Sequence, residues 1–411
     1  MKSNKEPLLI ARMLIGIFIL CVQPTDAAEQ LITAVFSPDT DNAAHNQFVN
    51  TTPNYGYCVI LPNQCKGSFS IQFPVTLESS KALDPVEAAV DRRKAAYFSM
   101  PFNFRTVQVM NDVTGAVADV KIRISGFGGR YILRDSTWHG HLWNGGSWVY
   151  ASAPCLYGGV GSGAADYYDF FWKAPVSAST ACVKTPKVEI PAPFKYQNMA
   201  INYELITPDP LAMDVGTYSG RVTFGIGPGQ DFDFGDVMVA SDSQITFNFK
   251  LAVNHLLKVD FPPGSNRAIL QPKEGWQTWL NSGRRAPALN ADMAFKMSSS
   301  GPFRVYLNCE YDVGNTCGIQ APTAAGEHTV GVDIGVSFAN GIVTAVNNLP
   351  AIKVPLGIGP ANAVIFRTAQ IQFSRGATLH YDIPSATTAQ MVKNPGRTYR
   401  GTATVIFDAT I

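Results

Sequence analysis

Charge of either sign in excess is what this chain lacks first. Lys and Arg number 32 against 31 Asp and Glu, a formal net charge of +1 over 411 residues. That balance excludes whole-molecule steering toward nucleic acid or an anionic membrane, so any site for a charged ligand has to be local. A long apolar stripe of helical period is also missing. The best helix candidate is the short polar stretch from Pro85 to Lys94, which argues against a helical bundle. After the first residues no run is long and apolar enough to anchor the chain in a bilayer. CxxC and Cys/His ligand spacings are absent, which removes the usual zinc patterns. So are Gly-x-Ser-x-Gly, His-Glu-x-x-His and a Cys–His arrangement. A secreted β-sandwich glycosidase would need two carboxylates facing across a cleft. Asp135, Asp166 and Asp169 are candidates, but no spacing specifies a pair. The expectation is a protein that is not an enzyme and holds no metal or cofactor.

Lys2, Lys5 and Arg12 precede the apolar run Leu14–Val22, and Thr25-Asp-Ala27 follows with small residues. This reads as a secretory signal over residues 1–27. Its removal takes three basic and two acidic residues and leaves a neutral chain. Six cysteines then remain, an even number that suits an oxidising compartment. Proximity in sequence favours the pairs Cys58 with Cys65, Cys155 with Cys182, and Cys309 with Cys317.

What fills the chain is β-pattern. Alternating apolar and polar residues recur at Ser68–Val75, Arg105–Met110, Val117–Ser125, Ile245–Val253 and Phe303–Cys309, with Gly and Pro at the joints. Period two over short runs is the mark of half-buried strands. The last stretch, Tyr399–Ile411, is patterned too: Ala403, Val405, Phe407, Ala409 and Ile411 share one face. Thr217-Tyr-Ser-Gly-Arg-Val-Thr-Phe224 and Thr398-Tyr-Arg-Gly-Thr-Ala-Thr-Val405 both read Thr-Tyr-x-Gly-x-x-Thr-apolar. Such a weak repeat predicts two related domains, each with a Gly crowding the start of a closing strand and a Tyr at its corner. Asp231, Asp233 and Asp236, on the connection between them, offer oxygen ligands for Ca²⁺ or simply keep a loop wet.

Residues 126–172 differ in character. Four of six tryptophans lie there, diluted by Gly and His. Amphipathic rings on loops suit sugar recognition, because a pyranose C–H face stacks on them and polar neighbours bond its hydroxyls. Trp138, His139, His141, Trp143 and Trp148, with Arg130 and Asp135 as polar partners, are the candidate ligand contacts. The same rings also suit the core of a large sandwich, especially Tyr167–Trp172. His139 and His141 would pair as metal ligands on a strand face only if a third ligand stood near.

With a signal segment, two all-β halves, local disulfides and a patterned last strand led in by Tyr399 and Gly401, the chain resembles a two-domain tip adhesin, or large minor subunit, of bacterial chaperone–usher fimbriae. The resemblance implies two immunoglobulin-like β-sandwich domains. Residues 28–240 would be a lectin-like receptor-binding domain and 241–411 a pilin domain. The latter would be an incomplete fold, completed by a donor strand lying beside Ala403, Val405, Phe407, Ala409 and Ile411. Implied partners are a periplasmic chaperone, the outer-membrane usher, an adjacent pilin subunit through its N-terminal donor strand, and a host glycan or glycolipid. Nucleic acid is not expected. The protein would pass through the periplasm to a fimbrium at the cell surface. Leu31–Phe36 reads as the first strand of the receptor-binding domain rather than as a donor strand. The alternative is a structural minor pilin or assembly initiator with no receptor of its own.

Overall fold

The computed structural model describes residues 28–38, 46–176, 181–282 and 285–409. The signal expected at 1–27 and the residue Ile411 lie outside them. The described chain is all-β with a few short helices, in two bodies with separate cores. The helix expected near residue 85 is present as Pro85–Val90 followed by a 3-10 turn at Arg92–Lys94, capped by Asp84 and Asp91. Asp84 accepts from two backbone N–H groups of the first turn, which the preceding chain cannot satisfy. All three expected disulfides are formed.

In the first body, the described residues form one curled twelve-stranded sheet over an apolar core. Its axis is the long strand Val117–Ile132. Along one edge Lys195–Ile206 pairs with it. Along the other edge the partner changes: Arg105–Met110 pairs with its first part, and Tyr167–Lys173 with its last. Glycines mark the change. A Cβ on Gly128 would lie 2.2 Å from the Phe170 carbonyl oxygen, so only glycine lets the two backbones cross here. Arg123 fills the gap between the two partners. Its guanidinium is buried, forms a bidentate pair with Glu204, and donates to the carbonyls of Phe102 and Ala174.

Gln244–Val253 runs antiparallel to Gly216–Gly225, and the first strand Ala28–Phe36 lies parallel on its other side. Ile245, Phe247, Phe249, Leu251 and Val253 are buried in the first core. This differs from the reading that opened the second half at residue 241. Strict alternation identified the strand but not the sheet that holds it, since the same apolar face serves either core. The first body therefore extends to Val253. Ala28–Phe36 is, as expected, a strand of that body.

The second body packs an eight-stranded sheet against a four-stranded one. Leu289–Ser299, Gln372–Ile383 and Gly326–Ser337 are the middle of the larger. In the smaller, Phe303–Cys309 lies between Val364–Thr368 and the last strand, Ala403–Asp408. Among the described residues, Asn254, His255, Ile371 and Phe373 contribute to the junction of the bodies. Asn254 N–H donates to the Phe36 carbonyl. His255 Nε2 donates to the Met213 carbonyl at 2.8 Å, while Nδ1 faces the Ser300 hydroxyl. Ile371 of the second body inserts into the first core.

The two Thr-Tyr-x-Gly segments behave alike. Tyr218 accepts a hydrogen bond from the Asp214 N–H, and Tyr399 bonds His328. A Cβ on Gly220 would stand 2.5 Å from the Gln108 carbonyl oxygen, and one on Gly401 would stand 2.4 Å from that of Gly318. Gly401→Ala is expected to cost ~1–3 kcal/mol, the usual range for overpacking. Urea unfolding measures it, and an unchanged midpoint would contradict the close crossing.

Candidate functional site

The aromatic stretch divides into a buried and an exposed part. Alternation along Val117–Ile132, Tyr167–Lys173 and Lys195–Ile206 turns Tyr131, Phe170, Trp172 and Tyr196 inward. The segment after Ile132 folds over that end and drops Trp143 and Trp148 among them. These two rings are 1% and 0% exposed, at 5.0 Å from one another. Trp172 Nε1 donates to the Trp148 carbonyl at 2.8 Å. Neither Trp143 nor Trp148 can stack a ligand, which corrects the reading of both as contacts. His139 is corrected too. It lies on a one-turn helix, His139–Leu142, and its ring is buried. Nδ1 accepts from the Tyr131 hydroxyl at 2.7 Å, and Nε2 donates to the Ala164 carbonyl. The reason is shared: Gly145 and Gly146, both with positive φ, let the segment turn back on itself, so its rings point into the sheet rather than out.

Trp138 is the ring left outside, 72% exposed, with His141 beside it at 6.5 Å. Asp135 is on the surface, paired with its neighbour Arg134 at 2.9 Å. Arg130 lies on the outer face of the sheet, forms a bidentate pair with Asp169 and stacks on Tyr167 at 3.8 Å. The hydrogen bonds that Arg130 donates to Asp169 push the guanidinium pKa further up. Sequence reading missed Asp169 and Tyr167 as companions of Arg130, because cross-strand register is not written in either strand alone.

One buried cation holds this end together. Lys184 follows the disulfide Cys155–Cys182 and is 2% exposed. Its Nζ donates to the carbonyls of Tyr150, Ser147 and Gly145 at 2.8, 3.4 and 3.5 Å. Burial pulls its pKa down from 10.5 to about 8.

The acids proposed for calcium are otherwise engaged. Asp233 binds Arg93 and accepts from the N–H groups of Gly229 and Gly235. Asp236 also binds Arg93, and Asp231 binds Arg105. No group of three or more metal-ligating side chains occurs among the described residues.

A second surface lies at the last strand. Ala403–Asp408 pairs with Phe303–Cys309, and no strand among the described residues pairs with its other edge. Ala403, Val405 and Phe407 face the second core yet stay only half-buried. Ala409 follows, half-buried, just past the strand. Beside the lead-in to the strand runs a groove of about 870 Å³, with Leu270, Leu289, Met293, Ile319 and Met391 in its walls.

The sequence matches no protein-family model and no curated protein. Solved structures do resemble the chain. One is a chaperone–tip adhesin complex of CFA/I fimbriae biogenesis, at 8% identity and TM-score 0.27, covering 93% of this chain and 96% of that one. Another is CfaE, the adhesive subunit of CFA/I fimbria of enterotoxigenic Escherichia coli, at 8% identity and TM-score 0.24, covering 93% and 92%. A third is the CsuC–CsuE chaperone–tip adhesion subunit pre-assembly complex of archaic chaperone-usher Csu pili from Acinetobacter baumannii. It has 8% identity and TM-score 0.21, covering 93% and 98%.

Two measurements test this description. Trp148→Ala is expected to cost ~3–5 kcal/mol in denaturant unfolding, as large buried aromatics do. Trp138→Ala should stay within about 0.5 kcal/mol, as exposed positions do. Equal effects would contradict the division. Lys184 binds its proton less tightly in the folded chain. Between pH 8 and 10.5 the unfolded chain holds the extra proton, so stability should rise with pH there, by ~3 kcal/mol in total. The charge is a burden below pH 8 and is relieved above it. Lys184→Met should remove that rise, measured as the difference between the two unfolding free energies across the window.

Proposed function

We propose that the chain is a fimbrial tip adhesin of the chaperone–usher type. Its first body would attach bacteria to host cell-surface glycans or glycolipids. Its second body would join the fibre by donor-strand complementation. The observation that carries this reading is the edge of Ala403–Asp408. An unpaired strand edge presents backbone N–H and C=O groups in a row, and a half-covered apolar face beside it is an aggregation hazard. An added strand with alternating apolar residues satisfies both needs.

The repeat gives a comparison within the molecule. Gly216–Gly225 has Arg105–Asn111 on one side and Gln244–Val253 on the other. Ala403–Asp408 has the first kind of neighbour and not the second. What the chain supplies to its first body, a partner would supply to its second: a periplasmic chaperone at first, then the N-terminal extension of an adjacent pilin, delivered through the outer-membrane usher. The mature protein would sit on a fimbrium at the cell surface. Binding is the role, with no catalytic step and no cofactor. Of the candidate contacts, Trp138, His141, Asp135 and Arg130 are on the surface. The burial of Trp143 and Trp148 favours the second reading, a structural minor pilin or assembly initiator, and attachment assays separate the two.

Co-expression with a periplasmic fimbrial chaperone tests the anchoring half. The wild-type chain is expected to co-purify with the chaperone. Val405→Arg and Phe407→Arg should reduce recovery of the complex at least tenfold, because each puts a charge into the apolar row. Recovery at the wild-type level in both variants would overturn the assignment of this edge.

A further inference from the structure

The outer face of the first sheet carries polar groups placed by register rather than by sequence. Gln197, Arg130, Asp169 and Ser162 stand directly opposite one another across four strands. One pleat along, Glu78, Lys195, Ile132 and Tyr167 form a second row. Intervening residues face the aromatic core, so both rows point outward. Lys195 Nζ binds Glu78 at 2.8 Å. Beside the rows lies a depression of about 550 Å³, lined by Glu78, Ser80, Lys195, Gln197, Val239 and Ser241. Val239 is exposed in it.

We infer that this face is a saccharide-binding site for a neutral, hydroxyl-rich glycan, with the Lys195–Glu78 pair and Gln197 at the depression beside Val239 and the Arg130–Asp169 pair and Tyr167 along the rows next to it. The inference rests on the adhesin reading and names the chemistry of its ligand. Sugar hydroxyls both donate and accept. Each ion pair sets a donor next to an acceptor at fixed spacing, which matches neighbouring hydroxyls. Arg130 uses Nε and Nη2 in its pair, which leaves Nη1 to donate elsewhere. Its planar head is held by the carboxylate and by the Tyr167 ring at once, so little freedom is lost when a ligand binds. Val239 and the Ile132 side chain offer apolar surface for C–H faces.

Charge decides the class. Each basic head is already neutralised by a carboxylate, and Asp166 adds negative potential near Arg130. A sialic acid carboxylate or a sulfate would have to displace Asp169 or sit against it. A neutral ring meets no such repulsion.

The test uses the full chain purified with its chaperone, on an immobilised panel of neutral mammalian oligosaccharides with their sialylated and sulfated counterparts. The expected result is retention on neutral members at least tenfold above their charged counterparts. The exchanged pair Arg130→Asp with Asp169→Arg keeps a cross-strand ion pair at an exposed place, so its melting temperature should fall by no more than a few degrees. Its retention should fall at least tenfold, because donor and acceptor have changed places. Gln197→Ala should lose severalfold. Preference for the sialylated or sulfated members would overturn the inference. So would full retention by the exchanged pair, or loss confined to Trp138→Ala. Attachment to epithelial cells that survives periodate oxidation of their glycans would remove the saccharide ligand and leave the adhesin reading standing. Attachment to neither treated nor untreated cells would remove both.

Discussion

A strand of sixteen residues, Val117–Ile132, has to serve two partners along one edge, and the first body is built around that requirement. Where Arg105–Asn111 leaves off and Tyr167–Lys173 takes over, carbonyl groups at both strand ends would face no partner. A buried carbonyl without a donor is costly. Arg123 meets the two ends with one guanidinium and returns its charge to Glu204. Gly126 and Gly128 remove the side chains that would hold the new partner away. Past the exchange, one face becomes the aromatic core and the other the polar rows. Core and candidate binding face are thus two sides of a single alternation.

The two bodies treat the same local motif differently. Each has a Tyr at a corner and a Gly pressed against a neighbouring backbone. In the first body the strand that follows has a neighbour on each side, and its Tyr218 and Phe224 are buried in the core. In the second, Val405 and Phe407 remain half-covered, and the groove runs beside the lead-in that ends at Ala403. Stability is therefore spread unevenly. The second core is small and open along one strand, and a binding partner there would contribute folding energy directly.

Much of the fold was legible. Phe303–Cys309 and the last strand follow from period two, and the disulfides from proximity. Sheet membership was not: Gln244–Val253 has the same alternation whichever core it covers. The helix Gly275–Ser282 and the strand Thr316–Thr323 also went unread, the first for want of length and the second for its Gly and Pro. Of the binding candidates, Trp138 and Arg130 were placed on the surface, as their polar surroundings suggested. Trp143 and Trp148 were misjudged because composition reports rings on a loop and says nothing of the direction in which the loop folds. Gln197 and the pairing of Asp169 with Arg130 were hidden for a related reason: both meet Arg130 only through pairing between distant segments.

The parallel pairing of Ala28–Phe36 with Gln244–Val253 has a consequence in time. Ala28 meets Ile245, and Phe36 meets Val253. The earliest strand of the body cannot find its place until almost the whole body has been made. Contacts so distant in sequence close slowly, since a long loop must be ordered before any of its bonds form. Through that interval Ile32, Ala34 and Phe36 have no core to enter. A nascent chain of this design needs protection at its beginning well before any question arises about its last strand.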